Sequence, residues 1–279
     1  MSSISMLVAF NKELIEEKDA VINVNDKAYF FDFVVYSSLK VIKGKIFFSE
    51  YHVDRLLESA KVLELNHQFS KEDVLEMLNK VVEKNSLNEA FLRIILIGDA
   101  NENKNAKLYI FPLTGVHYYP DRFYKKGVKV ITYHGERKFP TSKTKDLLLG
   151  FIASKEAERN QAIEALLIDK DGNIREGTKS NFFAIKGNTL ITSPKEKVLE
   201  GITKKIILEI CKPHFEIKEE DIPLSKIKEY DELFITSTLY NILPVIQVDD
   251  ITLSSNFEKT KIIQRLFKEY YDKNVLNAN

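Results

Sequence analysis

Lys143 lies in the run Phe139-Pro140-Thr141-Ser142-Lys143-Thr144-Lys145-Asp146 and is a candidate for nucleophilic or general-base work, although taken alone it is one of many lysines. A lysine does that work only where its surroundings turn a solvated ammonium into a free amine. Lys145, two positions on, points the same way along a strand and competes for the role. Other segments carry residue types that hold an anion. Leu199-Glu200-Gly201-Ile202-Thr203 puts a glycine and a hydroxyl at the start of a helix. Free backbone N–H groups and the helix dipole favour phosphate there, although the same run also reads as an ordinary cap. Phe234-Ile235-Thr236-Ser237-Thr238 ends a strand in three hydroxyls, which suit either an anion or a solvated turn. Arg55 lies off the apolar stripe of its helix and either reaches into a cleft or pairs with Asp54 or Glu58. Glu176, in Ile174-Arg175-Glu176-Gly177-Thr178-Lys179-Ser180-Asn181, sits between two strands. Its carboxylate is able to pair with a protonated ring nitrogen, or it is a plain turn residue.

The elements that must position these residues follow from periodicity. Val21–Val24, Phe33–Ile42 and Ile46–Phe48 read as strands, the last two flanking the turn Lys43-Gly44-Lys45. From Ser49, a candidate cap, to Leu65 the apolar residues Val53, Leu56, Leu57, Ala60 and Leu63 fall at helical spacing. A second helix opens at Ser70, with Asp73 in its first turn and Val74, Leu75, Leu78, Val81 and Val82 on one face. Phe91–Ile97 and Lys107–Pro112 form a strand pair, and Leu113–Lys126 has the irregular composition of a linker. Beyond it come a strand at Val128–Tyr133, a helix at Leu147–Arg159, and hairpin turns at Asp171-Gly172-Asn173 and Gly187-Asn188. A helix follows Gly201, strands cover Glu232–Thr236 and Pro244–Val248, and a final helix carries Ile262, Ile263, Leu266, Phe267 and Tyr270. The pattern is α+β, with a smaller N-terminal domain over 1–114, a linker over 115–126 and a larger, mainly antiparallel domain over 127–279.

These segments, in this order from about Phe10 to Ile246, resemble the class IV pyridoxal-phosphate enzymes. That group contains branched-chain and D-amino-acid aminotransferases and 4-amino-4-deoxychorismate lyase. The most specific runs are Glu-Gly-x-x-Ser-Asn, Leu-x-Gly-Ile-Thr and the Thr-Ser-Thr strand end, supported by His-x-Asp-Arg-Leu. The resemblance implies fold type IV and pyridoxal 5'-phosphate as cofactor. Lys143 would form the internal aldimine and move the substrate proton, because an ungapped match onward to Glu156-Ala157 lands on it. Glu176 would bind the pyridine nitrogen, and Arg55, Ile202, Thr203, Ser237 and Thr238 the phosphate end. Ser180 and Asn181 would support the cofactor and its loop.

Tyr36, Arg93 and Leu239 would line the substrate. Asp32-Phe33-Val34-Val35-Tyr36 departs from the family strand, with Phe31 and Phe33 where glycines are usual. Phe91-Leu92-Arg93-Ile94 resembles the Tyr-Ile-Arg-Pro run of branched-chain aminotransferases, in which the arginine receives the distal carboxylate of glutamate. D-amino-acid enzymes carry an arginine just before the loop glycine; Ile97 holds that place before Gly98. The expected reaction is transamination between an apolar or branched amino acid and 2-oxoglutarate. The lyase reaction and a non-catalytic homologue are the alternatives.

Composition excludes several other classes. Lys+Arg and Asp+Glu balance at 41 each, which gives no electrostatic footprint for nucleic acid or an anionic membrane. The longest apolar runs are too short to span a bilayer, and the N-terminus lacks signal-peptide features. One cysteine, Cys211, fits a reducing compartment, hence a cytoplasmic protein. The five histidines show no metal-ligand spacing. The resemblance further implies a homodimer and small-molecule amino-acid and 2-oxo-acid partners.

Overall fold

The computed structural model describes residues 6–99, 101, 104–113, 115, 118–253 and 256–276. The chain divides into two compact units, Met1–His117 with Ser142–Asp146, and Tyr118–Thr141 with Leu147–Asn279. The short lysine-bearing run therefore belongs to the first unit, not to the C-terminal domain drawn over 127–279. Residues 118–126 belong to the second unit and include a helix where the sequence suggested an irregular linker.

The first unit contains β1 (Leu7–Phe10), β2 (Glu13–Glu16), α1 (Lys27–Phe30), β3 (Val34–Ile42) and β4 (Lys45–Ile46). It continues with α2 (Ser49–Val62), α3 (Lys71–Lys84), β5 (Glu89–Ile97) and β6 (Lys107–Leu113). Its sheet has the antiparallel order β2-β1-β6-β5-β3-β4. One core joins Val35, Leu39 and Val41 of β3 with Leu92, Ile94 and Leu96 of β5, Val53, Leu56 and Ala60 of α2, and Val74, Met77 and Leu78 of α3. Burying each larger apolar side chain contributes about 1.5–3 kcal/mol. The α3 start is the expected one: Ser70 and Asp73 form a reciprocal capping box. Three expectations change. Met77, not Leu75, completes the buried stripe of α3. Ser49 is the first residue of α2, and its cap is Phe48, whose left-handed φ of 46° turns the chain into the helix. Val21–Val24 is not a strand, and Val21 and Val24 are exposed. β-Branched residues favour extended backbone where a neighbouring strand supports them. Here Asn23 and Asp26 accept from the N–H groups of Asn25 and Ala28, turning the chain into α1.

The second unit contains α4 (Asp121–Lys126), β7 (Val128–His134), α5 (Leu148–Arg159), β8 (Glu164–Ile168), β9 (Asn173–Gly177), β10 (Asn181–Lys186) and β11 (Thr189–Thr192). It continues with α6 (Ile202–Cys211), β12 (Glu216–Glu219), β13 (Ile222–Pro223), β14 (Glu232–Ser237), β15 (Asn241–Val248), β16 (Ile251–Thr252) and α7 (Glu258–Tyr271). The strand order is β12-β11-β10-β14-β15-β7-β8-β9-β13, and β9 also pairs with β10. That pairing closes β10, β14, β15, β7, β8 and β9 into a ring. Pairings are antiparallel except β15–β7, β7–β8 and β11–β12. Val128, Val130, Leu166, Ile168, Ile174, Phe182, Ala184, Leu233, Ile235, Leu243 and Val245 from all six ring strands share one core. Ala153 and Ala157 of α5 pack with Ile131, Ala165 and Leu167 in another.

Candidate active site

In the first unit, the lysine-bearing run lies antiparallel to the start of β3. Thr144 bridges to Val35, Tyr36 N donates to Lys143 O at 3.0 Å, and Lys145 N donates to Val34 O at 3.0 Å. Lys143 N in turn donates to Ser59 Oγ of α2 at 3.1 Å. Ser142 and Thr144 are buried, alternating with the half-buried Lys143 and Lys145, so both lysines share a face. Their neighbours separate them. Lys143 Nζ stands 4.8 Å from the centroid of the Tyr36 ring. Lys145 Nζ is tied to Asp32 Oδ1 at 2.6 Å and lies 4.2 Å from the Tyr29 ring centroid.

Arg93 of β5 reaches the same tyrosine, its guanidinium carbon 5.5 Å from the ring centroid. Among the described residues its buried Nε has no hydrogen-bond partner. Arg55 of α2 donates from Nη2 to Ser37 Oγ at 3.0 Å, and that oxygen is 2.8 Å from His52 Nδ1. His52 is fully buried. Burial, helped by the positive charges of Arg55 and Lys143, holds its pKa well below the ordinary histidine value, so the ring is neutral. Arg93 and Lys143 thus gather around the Tyr36 ring, while Arg55 joins Ser37 and His52 on the other face of β3, and neither Ser37 nor His52 carries a role in the sequence motifs. The visible signal for His52 was its spacing from Arg55, three residues along one helical face.

In the second unit, Glu-Gly-x-x-Ser-Asn is a tight hairpin. Gly177 N donates to Ser180 O at 2.7 Å, which sets Asn181 of β10 opposite Glu176 of β9. Asn181 is also opposite Thr236 of β14. Directly opposed residues project to the same side of a sheet, so Glu176, Asn181 and Thr236 form a polar row. Glu176 is buried. Its Oε2 accepts from Leu199 N at 3.3 Å, and its Oε1 is 3.8 Å from Arg137 Nε. Asn181 Nδ2 donates to Leu199 O at 2.8 Å. Ser180 Oγ donates to Glu164 Oε2 at 2.9 Å, and Glu164 Oε1 accepts from the Thr178 hydroxyl at 2.6 Å. Ser180 therefore braces the hairpin through Glu164. Arg137 and Glu164 are polar residues that no motif flagged.

Leu-x-Gly-Ile-Thr also has a structural reason. Gly201 is the N-cap of α6, and a Cβ there would stand 2.0 Å from Asn181 Oδ1. No side chain caps the helix, whose first residues Ile202 and Thr203 are buried. Thr236 Oγ1 is buried and, among the described residues, has no hydrogen-bond partner. Ser237 Oγ accepts from Leu239 N at 3.2 Å and Tyr240 N at 3.4 Å, while Thr238 and Leu239 are half-buried in the same turn. Among the described residues there is no group of three or more His, Cys, Asp or Glu able to hold a metal ion, and no helix long and apolar enough to cross a membrane.

Comparisons with known proteins point one way. A protein of Methanocaldococcus jannaschii, provisionally named a branched-chain-amino-acid aminotransferase, is 29% identical over 95% of this chain and 96% of its own length. The D-alanine aminotransferase of Listeria monocytogenes is 31% identical over 89% of this chain and 90% of its own. The crystal structure of the Escherichia coli branched-chain amino acid aminotransferase superposes with a TM-score of 0.87 at 24% identity, covering 96% of this chain and 95% of that one. The model of the amino-transferase class IV family matches residues 34–248. The chain is a fold type IV enzyme and belongs to the class IV aminotransferases.

Proposed function

We propose that the chain binds pyridoxal 5'-phosphate and moves an amino group between an apolar or branched-chain amino acid and 2-oxoglutarate. The family depends on this cofactor. The observation that carries the reading is the buried Glu176 carboxylate, held on Leu199 just ahead of the uncapped α6. These residues fit a phosphorylated pyridine. A buried carboxylate suits the protonated ring nitrogen, and the N–H groups of a helix start without a side-chain cap, with the Thr236 hydroxyl that has no partner among the described residues, suit the phosphate. When bound, the cofactor supplies the electron sink that makes the substrate Cα proton removable. Glu176 holds a proton on the ring nitrogen. Ile202, Thr203, Ser237, Thr238 and Arg55 hold the phosphate, while Ser180 and Asn181 keep the hairpin in place. Lys143 would be the amine that holds the cofactor and the base for the proton at the substrate Cα.

Arg93 and Tyr36 support the substrate assignment. Their sheet face also carries Phe91 and, opposite Arg93, Phe111, which gives aromatic walls beside one guanidinium. Apolar side chains suit the walls, and the distal carboxylate of glutamate suits Arg93. Leu239 adds an apolar contact. The D-alanine relatives favour a second reading, a D-amino acid as donor; Ile97 in place of an arginine stands against it.

The test is a screen of L-leucine, L-valine, L-isoleucine, D-alanine and aminodeoxychorismate with 2-oxoglutarate, following glutamate and pyruvate. Fastest glutamate formation from branched L-amino acids is the expected result. Faster turnover of D-alanine moves the assignment to the second reading, and pyruvate release without an acceptor overturns transamination. We read the working form as a cytoplasmic homodimer. Its support is the single reduced-type cysteine and the exposed apolar Leu148, Phe151 and Ile152 on α5. A monomer in light scattering of the active enzyme overturns that part.

A further inference from the structure

We propose that Ser37 and His52 are positioning residues that fix Arg55 for a phosphate monoester through a hydrogen-ordered chain, His52–Ser37–Arg55. The inference rests on the reading of Arg55 as a phosphate ligand. Ser37 Oγ is fully buried between Arg55 Nη2 at 3.0 Å and His52 Nδ1 at 2.8 Å. A guanidinium only donates, so the Ser37 oxygen accepts from Arg55. Its one hydroxyl proton then has a single acceptor in reach, the Nδ1 lone pair. His52 is therefore neutral with its proton on Nε2. The opposite tautomer would give Ser37 two donors, leaving its own hydroxyl proton and the buried Nε2 lone pair unused. On the imidazole, the assigned arrangement leaves the Nε2–H without a partner among the described residues. Because each hydrogen has one place to go, the Ser37 oxygen is locked toward Arg55. The guanidinium is then oriented before any anion arrives, which lowers the ordering cost of binding.

The experiment compares dissociation constants of the apoprotein for pyridoxal 5'-phosphate and for pyridoxal, which lacks only the phosphate. Arg55→Ala should weaken the first at least ~tenfold and leave the second unchanged, the size of a lost hydrogen bond to a charged group. Ser37→Ala should do the same in the same direction by roughly 3–10-fold, with Ser37→Thr restoring the affinity. If Arg55→Ala spares the discrimination, the phosphate role of Arg55 fails. If Arg55→Ala removes it and Ser37→Ala does not, the positioning chain alone fails. Equal weakening of both ligands by Ser37→Ala means a merely structural hydroxyl and also overturns the proposal. Should Ser37→Ala not fold, ¹⁵N spectra of the unsubstituted protein at neutral pH decide the matter. A His52 signal protonated on Nε2 supports the chain, and one protonated on Nδ1 overturns it.

Discussion

Glu176 and Asn181 face each other across the β9–β10 hairpin and hold the two sides of one residue. Glu176 Oε2 accepts from Leu199 N, and Asn181 Nδ2 donates to Leu199 O. The segment leading into α6 is thereby fastened to the hairpin, and Gly201 is a glycine because Asn181 Oδ1 occupies the space of a Cβ. In Gly201→Ala, Asn181 must leave Leu199. Overpacking at such a site costs about 1–3 kcal/mol. Thermal unfolding should show a lower midpoint, and Asn181→Ala in the same background should recover part of the loss.

Glu176→Gln keeps the shape and removes the charge. The difference between a charged and a neutral hydrogen bond, about 1–1.5 kcal/mol, corresponds to roughly tenfold weaker binding of a protonated pyridine. Titration of the apoprotein with pyridoxal 5'-phosphate measures it, and unchanged affinity and rate would remove Glu176 from its role.

Lys143 and Lys145 separate by their neighbours, Tyr36 for one and Asp32 for the other. Lys143→Ala should lose transamination by ~10²–10⁴-fold, the range of a positioned proton-transfer group. Lys145→Ala should stay within a few-fold of the unsubstituted enzyme. After borohydride reduction, peptide mass spectrometry should find the cofactor on Lys143; cofactor on Lys145 reverses the assignment.

Lys40 of β3 is buried, with its ammonium near the Phe47 and Phe91 rings, and burial lowers its pKa to about 8. The unfolded chain, near 10.5, then binds more protons between those values, so this residue makes stability rise with pH across that window. Lys40→Met should be more stable than the unsubstituted protein at pH 7, and the advantage should shrink between pH 8 and 10.5. Urea unfolding at three pH values gives the answer; a constant difference would show that Lys40 is charged in both states.

Strong local signals were legible in the chain. The Ser70–Asp73 cap, the turns at Gly172 and Gly187, and the β-branched and aromatic runs of β3 and β5 are set by residues close in sequence. Val21–Val24 misled because branched side chains describe a strand only when a neighbour exists to pair with it. The motif residues of the second unit stood out by type, although the reason for Gly201 appears only once Asn181 lies beside it. Ser37 and His52 could not be joined from the sequence, since nothing in chain order says which strand passes under α2. Residue parity gives Lys143 and Lys145 the same face, so Asp32 and Tyr36 had to be in place to tell them apart.

The hairpin bearing Glu176 also closes the ring of strands, because the β9–β10 pairing is the Glu176–Asn181 pair itself. A change at Glu176 or Asn181 therefore disturbs both the hold on Leu199 and the seam of the ring, so a loss of ligand affinity in such a variant has to be read beside its unfolding midpoint.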